Sequence, residues 1–299
     1  MQAAPPLSGA QPAAVAAHLR RAARAPDPPW LHGEVARRMA QRLAIMRAEP
    51  RQIIEWWAAL GHGEALREHY PQAVVEACEP SAALAERSAA RPAWWDPRRW
   101  LRPVPRVWCE PQQPPPGEAQ LVWSNMMLHW EADPAPRLQR WHAALATGGF
   151  VMFSCFGPDT LAGLRALYRR LGWGAPAHDF IDMHDLGDAM VRAGFAEPVM
   201  DMERLTLTWA DADALLAELR GLGGNAAASR YAGLRTPRWR ARLREELTRA
   251  LAGPDGRLAL GFEIVYGHAF KPTPRVPVAA ETRLSAETLR ELARRPPRG

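Results

Sequence analysis

The sequence predicts an α/β domain, a mostly parallel sheet with helices on both faces. Three observations carry this. Short apolar runs alternate with stretches of helical periodicity between residues 53 and 270. Of the 299 residues, 47% are hydrophobic, enough to bury a full core. The prolines concentrate at residues 5–29, 92–116 and 272–297, which leaves the middle of the chain free to fold.

The elements follow in order. Residues 30–46 place Leu31, Val35, Met39, Leu43 and Met46 on one face of an amphipathic helix. IIEWW (53–57) reads as the first strand, and it must be buried on both faces, so Trp57 is expected in the core. A helix over 61–69 leads to the strand AVVEAC (73–78) and a helix over 81–89. A short strand, RVWC (106–109), sits in a proline-rich stretch before the stronger strand QLVWSN (120–125). A helix over 134–146, the strand FVMFSCF (150–156) and helices over 157–173 and 184–194 come next. PVMDMERLTLTW (198–209) alternates as a strand does, a helical insert spans 211–250, and LALGFEIVYGHAF (258–270) is expected to close the sheet as an antiparallel edge. The predicted domain is therefore 30–271, with residues 1–29 a disordered leader and 272–299 a disordered tail. The leader, rich in Ala and Arg, is also compatible with an organelle transit peptide.

Composition narrows the function classes. The net charge is +6, carried almost wholly by Arg, with Lys271 the only lysine. These arginines lie along helices beside Glu and no basic-aromatic motif appears, so no nucleic-acid partner is expected; an acidic partner suits the surplus charge. Cys78, Cys109 and Cys155 lie far apart without metal-ligand spacing, which fits a reducing, cytoplasmic setting. His129, His142, His178, His184 and His268 do not converge, so no metal is expected. No apolar run reaches the roughly 18 residues of a membrane helix, and no membrane association is predicted.

A bound nucleoside needs close backbone approach at the first βα turn and, about 20 residues on, an acid for its ribose hydroxyls. Glu79, ending the second strand, fits the acid, and Glu55, ending the first, would orient the turn. The glycine positions fall in one of two registers, Trp57, Ala59 and Gly61 or Ala59, Gly61 and Gly63, of which only the second spares a ligand the indole. Ser124 and Asn125 end the fourth strand, so residues up to His129 and Trp130 line the crevice at the carboxyl edge.

The segments LVWSNMMLHW, GGFVMFSCFGPDTLAGLR, FIDMHDLGDAMVRAGFAEPVMD and LGFEIVYGHAF, in that order, closely resemble the malonyl-acyl-carrier-protein O-methyltransferases of biotin synthesis. The resemblance spans roughly residues 30–272. It implies the class I methyltransferase fold, Rossmann-like, with a seven-stranded sheet carrying one antiparallel strand near its end. It further implies S-adenosylmethionine as methyl donor and the free carboxyl of a malonyl thioester on acyl carrier protein as acceptor. A carboxylate is already a nucleophile, so no general base is required. Phe156 and Asp159 of the FGPDTL segment, His184 of DMHDLGD and His129 would then border the substrate, with Asp185 capping a helix. Arg230 or Arg235 of the insert would pair with the malonyl carboxylate, while Arg238, Arg240, Arg242 and Arg244 would meet an acidic carrier. The chain departs from the family at EWWAALGHG, in place of a glycine-rich turn, and at Gln120, in place of an Asp. A non-methylating relative on the same fold, or one resembling the arginine-hydroxylating assembly factor of respiratory complex I, is the alternative.

Overall fold

The computed structural model describes residues 9–90 and 106–273. Its strands are β1 (Gln52–Trp56), β2 (Val74–Glu79), β3 (Val107–Cys109), β4 (Ala119–Ser124), β5 (Leu145–Phe156), β6 (Ala196–Trp209) and β7 (Leu258–Phe270). They form one seven-stranded sheet in the order β3-β2-β1-β4-β5-β7-β6. Every neighbouring pair from β3 to β5 is parallel, and β7 runs antiparallel to both β5 and β6. The chain therefore has the Rossmann-like class I methyltransferase architecture. The expected antiparallel strand is present but is not the edge. β7 is apolar along its length and largely buried, so it fits between β5 and β6. The edge falls to β6, whose alternating side chains leave one face wet.

The helices are α1 (Pro12–Arg24), α2 (Trp30–Leu43), α3 (Ala58–Gly61), α4 (Glu64–His69), α5 (Ala82–Ala89), α6 (Ala135–Ala144), α7 (Ala162–Leu171), α8 (Met183–Arg192), α9 (Ala212–Gly221) and α10 (Pro237–Leu251). Successive strand side chains point to opposite faces, so each central strand feeds two cores. Ile53, Leu121, Trp123, Phe150 and Met152 pack with Leu31, Val35, Met39, Leu164 and Leu247 on one side. On the other, Ile54, Trp56, Val122, Val151 and Phe153 pack with Leu84, Leu138, Trp141, Leu186 and Met190.

Three expectations need correction. The helix predicted over 61–69 splits into α3 and α4, because His62 takes a left-handed φ of 52° between them. The helix predicted over 157–173 starts only at Ala162, since Leu161 has a φ of 60° and the preceding residues form a turn. The helical insert expected over 211–250 holds two helices, α9 and α10, joined by a loop. Residues 9–29, assigned to a disordered leader, contain the ordered helix α1. Its Val15, His18, Leu19 and Ala22 form one face at helical spacing that packs onto the domain. Residues 1–8 of that leader and 274–299 of the predicted tail lie outside the described residues.

Candidate active site at the carboxyl edge of the sheet

The register Trp56↔Cys78 and Trp56↔Ser124 brings the carboxyl ends of β2, β1 and β4 side by side. Glu79, Glu55, Ser124 and Asn125 converge there, as expected, and all four are buried. Glu79 Oε1 accepts hydrogen bonds from the Ala59 backbone N–H (2.7 Å) and from the Ser88 hydroxyl, tying the loop to β2. Burial pushes its carboxyl up to about 8, against the Ser88 and Ala59 donors that favour the charged form. Glu55 pairs with Arg67 at 2.7 Å, and burial raises its pKa despite that guanidinium. A Cβ on Gly63 would lie 2.2 Å from Glu55 Oε1 and 2.4 Å from Arg67 Nη1, so a side chain there would displace the ion pair beneath the loop. Asn125 Nδ2 donates to Gly61 O at 2.9 Å and to His32 O at 2.8 Å, while its Oδ1 accepts from the Ser154 hydroxyl at 2.7 Å. Asn125 thus pins the loop to α2 and β5. Gln120 Oε1 accepts the Arg51 N–H at 2.6 Å at the far end of β4 and braces the entry to β1.

Trp57 takes a left-handed φ of 60° and is buried, in the same apolar cluster as Leu60, Met127, Leu128, Trp130 and Ala22 of α1. The indole is a core side chain, as the sequence predicted, and a pocket of about 330 Å³ lined by Ala58, Ala59, Gly63, Arg67 and Ser88 opens at the turn. The chemistry around the turn nonetheless suits a nucleoside. Glu55 Oε1, Glu79 Oε2 and Ser124 Oγ are buried without a hydrogen-bond partner at the ends of three adjacent strands. Unsatisfied acceptors so placed are what ribose hydroxyls and an amine would satisfy.

Beyond this loop the carboxyl edge encloses a cavity of about 660 Å³. Its walls come from β5 and β7 (Phe156, Phe262), the turn after β4 (His129, Trp130), α7 (Leu164, Tyr168), the 176–180 segment and the stretch 216–230. The size matches a small-molecule pocket of ordinary dimensions. Of the expected substrate residues, His129, Phe156 and Arg230 line it. His129 Nδ1 accepts the Phe156 N–H at 3.4 Å, and burial with neighbouring His178 holds its pKa well below the ordinary range, so the ring is neutral. Arg230 donates to Gln11 Oε1 and Ala227 O across the cavity's edge.

Three expected residues are elsewhere. Arg235 donates to Trp173 O at 3.2 Å with its guanidinium 3.7 Å over Tyr231 and 4.3 Å over Trp239, so aromatic stacking draws it away. Asp159 is exposed and pairs with Arg204 of the edge strand. His184 is exposed and bonds Asp182, and Asp182, rather than Asp185, caps α8 by accepting the His184 N–H at 2.8 Å. Sequence reasoning missed Arg21, Arg220, Tyr168 and His178 in the cavity wall. Arg21 had a signal, the apolar face of α1 beside it; His178 had none, being one polar residue in a loop. Among the described residues, no helix is long and apolar enough to cross a membrane.

A family model described as "Methyltransferase domain" matches residues 35–197. The chain is 38% identical over 251 residues to the malonyl-[acyl-carrier protein] O-methyltransferase of Gallionella capsiferriformans, covering 82% of this chain and 86% of that protein. It is also 38% identical over 251 residues to the protein of the same name from Laribacter hongkongensis, covering 82% and 84%. Among solved structures, the YcgJ protein of Bacillus subtilis superposes with a TM-score of 0.51 at 11% identity, covering 80% of this chain and 99% of that one. A likeness at that identity is one of fold.

Proposed function

The chain belongs to the malonyl-[acyl-carrier protein] O-methyltransferase family, and we propose that it transfers a methyl group to the free carboxyl of a malonyl thioester held in the cavity described above. The observation that carries the reading is the cavity's make-up. It is largely apolar and bears three arginines, Arg21, Arg220 and Arg230, with no carboxylate among the described residues that line it. An apolar, cation-rimmed cavity takes a chain that ends in an anion. In the relatives' reaction such an anion is the acceptor.

S-adenosylmethionine is the methyl donor, and when bound it supplies an electrophilic sulfonium methyl group. Glu79 would hold its ribose and Ser124 and Glu55 its remaining polar groups, with the turn at Ala59, Gly61 and Gly63 beside it. The acceptor carboxylate needs no proton removed, so the chain's work is to position and to exclude water. Phe156, Phe262 and Leu164 supply the dry wall, and neutral His129 borders it without adding a competing charge. Arg230 is the cation assigned to the malonyl carboxylate.

The acidic carrier protein would dock on the Arg-rich helix α10. Arg240 and Arg244 already pair with Asp213 and Arg242 lies 5.6 Å over the Trp173 ring, so Arg238 is the arginine of this helix assigned to that contact. Cys78, Cys109 and Cys155 are unpaired, in keeping with a cytoplasmic site of action in biotin synthesis.

The test is transfer of labelled methyl from S-adenosylmethionine to malonyl and acetyl thioesters. Malonyl acceptors are methylated and acetyl ones are not. Arg230→Ala raises KM for the malonyl thioester, whereas Arg235→Ala leaves it unchanged. Binding of S-adenosylmethionine without transfer to any thioester refutes this acceptor. No binding at millimolar concentration favours a non-methylating member of the fold.

A further inference from the structure

The helix α1 is not an ornament on the domain, because the cavity is incomplete without it. Ala13, Ala14, Ala17 and Arg21, all on α1, form one of its walls. Long-range contacts hold the helix there. Gln11 N–H donates to Ala226 O at 2.9 Å, Gln11 Oε1 accepts from Arg230, and Arg21 Nη2 donates to Gly223 O at 3.0 Å. The His18 ring stacks on Trp130 with centroids 4.7 Å apart. At its other end, Arg87 of α5 donates to Ala22 O and Ala25 O. Gly223 is where the fit is tightest, since a Cβ there would lie 2.2 Å from the Trp130 ring.

Beside the packing of Val15, Leu19 and Ala22 onto the domain, these ties are polar contacts of single residues, and the side of the helix that faces the cavity is otherwise alanine. Its inner wall contributes methyl groups and one charge. Arg21 spends one Nη2 donor on Gly223 O, and the rest of its fork remains for a ligand. Arg220 and Arg230 reach the same cavity from the stretch after β6. Three guanidinium groups line one cavity with no carboxylate among its described lining residues, so an anion that enters finds cationic partners and no repelling charge.

We propose that α1 is a clasp that closes over an amphiphilic ligand and that Arg21 binds its anionic end, together with Arg220 and Arg230. The ligand class is an extended, mainly apolar thioester arm carrying a carboxylate or a phosphate. The proposal rests on the cavity being the acceptor site, and it adds the residues before position 30 to that site.

Calorimetric titration of the full chain with three probes tests it: malonyl-pantetheine, which carries a carboxylate; acetyl-phosphopantetheine, which carries a phosphate; and acetyl-pantetheine, which carries neither. At least one anionic probe should bind tenfold or more tighter than the neutral one. Arg21→Ala should remove most of that margin while leaving the neutral probe's affinity as it was, and Arg21→Lys should restore part of it. Whichever anionic probe binds tightly identifies the source of the charge. Bound ligand should also slow tryptic cleavage at Arg20, Arg21 and Arg24. Equal affinity for all three probes overturns the proposal. So does an Arg21→Ala variant that weakens all three alike, since that is the mark of a residue that merely holds the helix. A tight anionic probe that is never methylated leaves the clasp standing and removes the proposed reaction instead.

Discussion

Replacing Trp57 with glycine separates a core role from a cofactor-blocking one. The indole is buried in the cluster with Leu60 and Met127, and a Trp truncated in such a place costs about 3–5 kcal/mol through lost transfer energy and cavity. Against this, Trp57 sits at a φ of 60°, where an L side chain costs roughly 1–2 kcal/mol that glycine avoids. The net loss is about 1–4 kcal/mol. For a domain of this size each kcal/mol moves Tm by roughly 2–4 °C, so a fall of about 2–16 °C is expected. Trp57→Ala keeps the left-handed strain and should be less stable than the glycine variant by about 1 kcal/mol. Thermal unfolding of both variants, with calorimetric titration of S-adenosylmethionine, measures the two roles together. Tighter cofactor binding by Trp57→Gly at an unchanged Tm would refute the argument, because the indole would then be an obstruction and not a core side chain.

Three further outcomes follow from the buried charges and the packing. His18 and His32 have pKa values lowered by burial from 6.5 to about 4, so the unfolded chain takes up protons that the fold refuses. Their contribution is intact above pH 6.5 and is lost as pH falls toward 4. It amounts to about 3 kcal/mol for each histidine at about 1.4 kcal/mol per pH unit, and urea unfolding at pH 7 and pH 4.5 should show the drop. Glu79, raised to about 8, acts in the opposite sense: the fold keeps a proton that the unfolded chain releases, so stability is lost as pH rises from 4.5 to 8. Glu79→Gln should therefore flatten the stability profile over that range, whereas Glu79→Ala should weaken S-adenosylmethionine binding tenfold or more, and an unchanged slope in Glu79→Gln would mean that Glu79 is ionised in the fold. Gly223→Ala, at a φ of 121° and against Trp130, should lower Tm and shift α1 toward the protease-sensitive state, read by the rate of tryptic cleavage within residues 12–24.

The order of elements was legible because it is local: each strand or helix announces itself in its own window of residues. The convergence of Glu55, Glu79 and Asn125 was legible for the same reason, since parallel strands place their carboxyl ends together whatever the strand order. The burial of Trp57 was expected from a strand over 53–57, but β1 ends at Trp56 and the indole is buried instead from the turn, by packing on Leu60, Met127 and Trp130. Which strand becomes the edge is a matter of pairing, and only the folded chain decided that β7 lies inside β6. Arg230 and Arg235 are five residues apart in one loop and indistinguishable as sequence. Stacking on Tyr231 and Trp239 takes Arg235 out of the cavity, and Gln11 of α1 steadies Arg230 at its edge. The helix α1 shows the limit most clearly. Its composition is that of a disordered leader, and its order comes from Trp130, Ala226 and Arg87, partners 65 or more residues away along most of these contacts. The sequence alone determined the alternation of strands and helices and the convergence of Glu55, Glu79 and Asn125 at the carboxyl edge. Which charges share a cavity, and that the first helix closes it, were decided by long-range packing, because free energies of a few kcal/mol between distant residues leave no periodic trace in the chain.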